Sequence, residues 1–211
     1  MAKSPTDGQQ VRGPEQHRVE APTAQRILEA AKRILTEKGY QHFTLKEIEA
    51  ESGEFRALVA YYFGNKRGLV QALFDSLMAD GDAELRAELE GIGEPDERVT
   101  ALLDAQQEIS ADWRGFRAFY ELLPNIMQDD VMRARLAESY RSSRELARYC
   151  LESEDVTLDG DDLNRLSALS VAVIEGLAVQ YAADRERFDH EGTFRLWRSM
   201  LVELLKRPPA Q

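Results

Sequence analysis

Residues 43–69 read FTLKEIEAESGEFRALVAYYFGNKRGL, and the rest of the chain is best understood outward from them. Thr44 sits where a side-chain oxygen caps a helix, and Leu45, Ile48 and Ala50 supply the apolar stripe of a short one. Gly53 then breaks the pattern where a positive φ is easiest to accommodate. A second short helix is predicted over 56–62, with Leu58, Val59 and Phe63 as its buried residues, and Asn65-Lys66 opens a longer one. Two short helices joined by a tight glycine turn hold the second rigidly while its outer face meets base edges, the arrangement that suits a DNA major groove.

Upstream, Pro22-Thr23 starts a helix whose Ile27, Ala30, Ala31, Ile34 and Leu35 recur at helical spacing until Gly39. The segments RILEAAKRILTEKGY, FTLKEIEAESG and LVAYYFGNKRGL together resemble the N-terminal domain of the TetR (tetracycline repressor) family of transcriptional regulators. The likeness covers residues 23–73 and is most specific at Gly39-Tyr40, Gly53, Tyr62-Phe63, Asn65-Lys66 and Leu69. Glu54 and Phe55 depart from the small apolar residue and Ser or Thr usual after the turn glycine, and Ala60 stands where the family often has Tyr. The position of residues in this motif marks Lys46, Arg56, Ala57, Leu58 and Tyr61 as groove-facing. Arg56 is the expected base reader, because its guanidinium can grip guanine O6 and N7 together. Thr44, Tyr62 and Lys66 are expected at phosphates, Lys66 helped by the positive end of the helix it opens.

The whole chain is predicted to be all-α, in three parts: an arm (1–21), the helix-turn-helix domain (22–68) and a ligand-binding and dimerisation domain (69–211). The arm mixes Ser, Pro, Gly, Gln and charge with few apolar residues, which predicts disorder. Further helices are predicted over 66–89, 96–111, 114–127, 129–152, 162–184 and 191–206. Gly91-Ile92-Gly93-Glu94-Pro95 is the clearest break, Pro124 and Asp129-Asp130 mark interruptions, and 152–162 is an acidic loop.

A net charge of −11 at first opposes DNA binding. Residues 21–68 carry eight Lys/Arg against six acids, so this segment is +2; the first twenty residues balance, and the remainder holds −13. A mildly basic reader on an acidic body limits non-specific adhesion to DNA, although most of the acids are ordinary solvated helix faces. Cys150 is the single cysteine, which excludes an internal disulfide and fits a reducing cytoplasm. The three histidines show no metal-ligand spacing, so no metal and no cofactor are expected. No uninterrupted apolar run approaches 18 residues, so no membrane partner is expected. Ser110, His190 and Cys150 are nucleophile or base types, but their spacing gives no sign that they meet, and an enzyme is not expected.

In LSALSVAVIEGLAVQY (166–181), residues 171–174 are apolar all round. In the last helix Phe194, Trp197, Leu201 and Leu204 form one stripe, with Leu196, Met200 and Leu205 on another face. Two apolar faces must both be buried, either in a large monomeric core or in a two-fold four-helix interface. The resemblance implies the latter, with Ile174, Phe194, Trp197, Leu201 and Leu204 as the dimer contacts and a palindromic DNA operator as partner.

Trp113, Phe116, Phe119, Tyr120, Met127, Tyr140 and Tyr149 form an aromatic and Met-rich segment, and at helical spacing such a set is more often plain core than a ligand box. The resemblance implies an effector cavity here, for which Trp113, Phe116, Tyr120, Met127, Tyr140 and Glu175 are the candidate lining and Gln106, Arg117 and Gln180 further polar candidates. Such walls suit a small apolar or amphipathic effector. FYELLPNIMQDDVMRARL and IEGLAVQYAADRERFD also resemble the BetI-type subgroup of these ligand-binding domains. The expected function is therefore an effector-released repressor; a helical scaffold keeping the helix-turn-helix only as a packing unit is the alternative.

Overall fold

A computed structural model describes residues 21–152 and 158–205. The expected arm, apart from Ala21, and part of the acidic loop lie outside the described residues. Nine α-helices and one short 3-10 turn account for the regular structure among the described residues, with no strand. The chain divides into two compact units, 1–73 and 74–211.

In the first unit α1 (Pro22–Lys38) begins with proline at its first position, where the missing N–H costs nothing. It buries the predicted stripe of Ile27, Ala30, Ala31, Ile34 and Leu35, and Leu28 as well. The 3-10 turn Tyr40–His42 leads to α2 (Leu45–Ser52) and α3 (Arg56–Phe63). Thr44 caps α2 by accepting from the Glu47 amide at 3.2 Å, and Gly53 closes it in the left-handed region at φ 72°. Helix α3 buries Val59 and Phe63, whereas Leu58 is only half-buried.

Helix α4 (Lys66–Glu90) follows, with residues 66–73 belonging to the first unit. Asn65 starts it, its Oδ1 accepting from the Gly68 amide at 3.0 Å. A Cβ on Gly68 would lie 1.9 Å from the Phe63 carbonyl oxygen, so only glycine permits this close approach between α3 and α4.

The second unit adds α5 (Pro95–Ala111), α6 (Trp113–Gln128), α7 (Asp130–Leu151), α8 (Gly160–Ala183) and α9 (His190–Leu205). Helix α8 packs against α5, α6, α7 and α9. One core cluster joins Val99, Leu103, Leu151, Leu163, Leu166, Leu177, Phe194, Leu201 and Leu205. A second joins Leu89, Leu102, Leu146, Ala147 and Cys150.

Two boundaries differ from expectation. Pro124 lies inside α6 and does not interrupt it; the helix forgoes one backbone bond there and continues. The acidic loop is shorter than predicted, because Asp161 and Asp162 form the first turn of α8, where the positive end of the helix favours them. Asp112, Asp129, Asp159 and Asp189 each accept backbone N–H groups at the start of α6, α7, α8 and α9. Part of the acidity of this unit is thus helix capping, at about 1 kcal/mol per cap.

Candidate nucleic-acid interface and effector site

The acids of the helix-turn-helix are individually neutralised. Lys38 reaches Glu47 at 3.2 Å and Glu51 at 3.9 Å, and Arg33 reaches Glu51 at 3.0 Å. Arg26 grips Glu54 at 2.6 Å and Arg56 meets Glu49 at 2.8 Å. Exposed pairs of this kind add little stability, but each offsets one negative charge of the motif. The unusual Glu54 is explained by Arg26: it ties the turn back to α1. Phe55 precedes α3 without a side-chain cap and is 75% exposed, a second departure that places an aromatic ring beside Arg56.

Lys46, Arg56, Ala57 and Tyr61 are exposed, as is Thr44, while Leu58 and Tyr62 are half-buried. The Tyr61 and Tyr62 rings meet edge to face at 4.9 Å. The Lys66 ammonium lies 4.6 Å from the centre of the Tyr40 ring and 5.4 Å from that of Phe43. Partial burial there pulls its pKa below the usual lysine value.

In the second unit the aromatic candidates separate into groups. Phe116 and Tyr120 stack at 6.2 Å on α6, and the Tyr140 hydroxyl on α7 donates to the Glu175 carboxylate on α8. Burial, with the charge of Glu175 second, pushes Tyr120 up to about 12. Tyr140 is raised further by burial, its bond to Glu175 and that charge. Glu175 is itself raised by burial, against the opposing effect of the Tyr140 bond. Among the described residues Glu175 has no cation within ion-pair distance. Phe116, Tyr120, Tyr140 and Glu175 therefore form one cluster.

Trp113 and Met127 lie on α6 as well, one turn before Phe116 and two turns after Tyr120. Trp113 is covered by Arg185 at 4.2 Å and Arg114 at 5.3 Å, and Met127 is exposed at the far end of α6, about 21 Å away at 1.5 Å per residue. Of the further polar candidates, Gln106 is buried with its Oε1 unpaired, and Arg117 and Gln180 are exposed. A shallow groove of about 330 Å³ along Asp96, Glu97, Thr100, Ala101 and Asp104 shares no residue with the aromatic cluster; its named lining comes from α5 alone.

The residues of the expected interface stripe differ in burial. Phe194 and Leu201 are buried in the protomer's own core at 0% and 1% exposure, with Trp197 and Leu204 packed against it and Ile174 half-buried. The apolar residues left facing outward are Leu196 at 62% and Met200 at 58% on α9, with Leu169 and Val179 on α8. The alternation was legible in the sequence; the face that turns inward was not. Among the described residues α8 alone is long and apolar enough to cross a membrane, with mean hydropathy 1.5 over 18 residues. Its Leu163, Leu166 and Leu177 instead lie in the core.

Ser110 and His190, read as unrelated, meet in the fold with Oγ 2.7 Å from Nε2. The Ser110 hydroxyl also donates to the Gln107 carbonyl at 3.0 Å, which leaves a lone pair to accept from an Nε2–H. Ser110 is wholly buried. The pair ties α5 to α9. Burial pushes the Cys150 thiol up to about 11, so it too lacks a reactive thiolate. No group of three or more His, Cys, Asp or Glu side chains able to hold a metal occurs among the described residues.

A two-helix reader with a glycine turn, beside a separate helical unit with a polar aromatic cluster, defines a DNA-binding regulator. Residues 27–73 match the model of bacterial regulatory proteins of the tetR family, and residues 95–206 match that of the BetI-type transcriptional repressor C-terminal domain. The chain belongs to the tetR family of transcriptional regulators, in its BetI-type branch. It is similar to the HTH-type transcriptional regulator BetI of Brucella canis, 24% identical over 193 residues, covering 88% of this chain and 93% of that one. The BetI regulator of Rhizobium meliloti is 28% identical over 158 residues, covering 73% and 75%. Among solved structures, NalD of Pseudomonas aeruginosa, described as the secondary repressor of the MexAB-OprM multidrug efflux pump, superposes with a TM-score of 0.66 at 20% identity, covering 89% and 97%. A transcriptional regulator from Pseudomonas aeruginosa PAO1 gives 0.75 at 19% identity, covering 93% of each chain. These likenesses set aside the scaffold alternative.

Proposed function

We propose that the chain is a cytoplasmic homodimeric repressor that leaves a palindromic operator when an amphipathic effector with a cationic group binds its second unit. The observation that carries the effector class is Glu175: a half-buried carboxylate, bonded to Tyr140 and beside Tyr120, without a cation of its own. Aromatic faces and a desolvated carboxylate attract an organic cation, and Phe116 extends an apolar wall. The domain division at 68/69, the DNA contacts at Thr44, Lys46, Arg56, Ala57, Leu58, Tyr61, Tyr62 and Lys66, and an interface built from Leu169, Val179, Leu196 and Met200 complete this reading. Trp113 and Met127 are left at the margins of the effector site.

Operator binding, titrated with a panel of alkylamines and quaternary ammonium compounds, tests the effector. A bound cation should weaken operator affinity, and reciprocity requires the operator to weaken the cation by the same factor, on the order of 5–150-fold. Glu175→Gln should abolish most of that response while leaving effector-free operator affinity unchanged. The response should also fade as pH falls, because protonation through the raised Glu175 pKa removes the attracting charge. A response to neutral lipids alone, indifferent to Glu175→Gln, would reject the cationic effector.

Arg56→Ala should cost about 1–3 kcal/mol on the operator and relax preference at one base pair. Equal weakening on operator and random duplex would reassign Arg56 to phosphate.

A further inference from the structure

Glu47, Glu51 and Glu54 all pair backward with cations of α1 (Lys38, Arg33 and Arg26). Glu49 alone among the acids of this motif pairs forward, into the recognition helix. Its Oε2 lies 2.8 Å from Arg56 Nε, and its Oε1 accepts from the Arg56 backbone N–H at 3.4 Å. Phe55, at the cap position of α3, supplies no side-chain bond, so Glu49 stands in for the missing cap. The residue is also anchored through its backbone, because the Glu49 carbonyl accepts from the Gly53 amide at 3.0 Å. Ser52 tightens the same turn, donating to the Ile48 carbonyl and accepting from the Glu54 amide.

We propose that Glu49 is a positioning residue for base recognition, holding Arg56 in an end-on presentation toward a guanine. This rests on the reading of Arg56 as a base reader. With Nε engaged by the carboxylate, the guanidinium keeps the two parallel N–H groups of Nη1 and Nη2, whose spacing matches guanine O6 and N7. A long exposed side chain otherwise loses its rotamer freedom when it docks; held beforehand, it loses less. The pair also offsets the charge that Arg56 would offer to phosphates, so Glu49 should lower affinity for all DNA while raising discrimination at one position. A residue that only capped a helix would have neither signature.

The test uses full-length protein and a duplex selected by it from a random-sequence pool, with each half-site base pair then substituted in turn. Binding is followed by fluorescence anisotropy for wild type, E49Q, E49A, R56A and E49Q/R56A, with far-UV circular dichroism on each. R56A identifies the base pair that Arg56 reads. E49Q and E49A are expected to reduce discrimination at that base pair about tenfold, with other positions unchanged and affinity for random duplex equal or higher. The double variant should discriminate no worse than R56A. Undiminished discrimination at that base pair in E49Q overturns the positioning role, as does a parallel loss at every position. If R56A alters no single position, the reading of Arg56 itself fails and the role of Glu49 falls with it.

Discussion

Leu201→Arg is expected to unfold the second unit, and Met200→Arg, one residue earlier, to leave it folded. Leu201 lies in the protomer's own core with Phe194, Leu177 and Leu205, so a guanidinium there would be placed among apolar side chains. An unpaired buried charge costs about 3–5 kcal/mol or more, a large part of the 5–15 kcal/mol that holds an average domain together. Denaturant titration should show the midpoint collapsing or the transition disappearing. Met200 is more than half exposed, so Arg there costs the fold about 0.5 kcal/mol or less. If Leu196 and Met200 face a second copy, Met200→Arg should instead convert dimer to monomer in sedimentation velocity and remove cooperative operator binding. A folded Leu201→Arg protein that merely dissociates would return Leu201 to the interface; a dimeric Met200→Arg protein would move the interface off α9.

Phe43→Ala should abolish DNA binding through the stability of the first unit alone. Phe43 is fully buried, its ring stacks on Tyr40 at 5.7 Å, and the Lys66 ammonium lies over both rings. Removing a buried Phe costs about 3–5 kcal/mol in transfer and cavity terms. The described part of this unit, residues 21–73, has little margin to absorb that loss. Thermal denaturation followed by far-UV circular dichroism should then split into two transitions. The upper should persist near its wild-type temperature, and operator binding should vanish at temperatures where wild type binds fully. A single unshifted transition with operator affinity intact would show that Phe43 contributes nothing to the fold of the reader.

The helices were legible in the sequence because their signals are local. Pro22, Gly39, Thr44 and Gly53 act within one turn of themselves, and the observed bounds fall within about two residues of those predicted. Pro124 misled because the propensity of one residue was outweighed by the apolar face around it, where Phe119, Leu122 and Ile126 are buried. The Arg56–Glu49 pair was missed although Glu and Arg seven residues apart straddle a turn whose geometry the motif implies. Helical spacing gives Arg56 a groove-facing place and marks Glu49 only as one acid among several.

What the sequence by itself determined is the all-α class, the helix-turn-helix and the existence of two apolar faces on the last two helices. Periodicity and capping are properties of neighbours, and the hydrophobic effect requires only that such faces be covered. What covers them was decided by the tertiary structure. Phe194 and Leu201 turned inward, Leu196 and Met200 outward, and Ser110 met His190 across eighty residues of chain. The same packing joined Glu175 of α8 to Tyr140 of α7 while leaving Trp113 to Arg185. Contacts between residues so far apart depend on how helices stack, and helical spacing alone leaves several stackings equally well patterned.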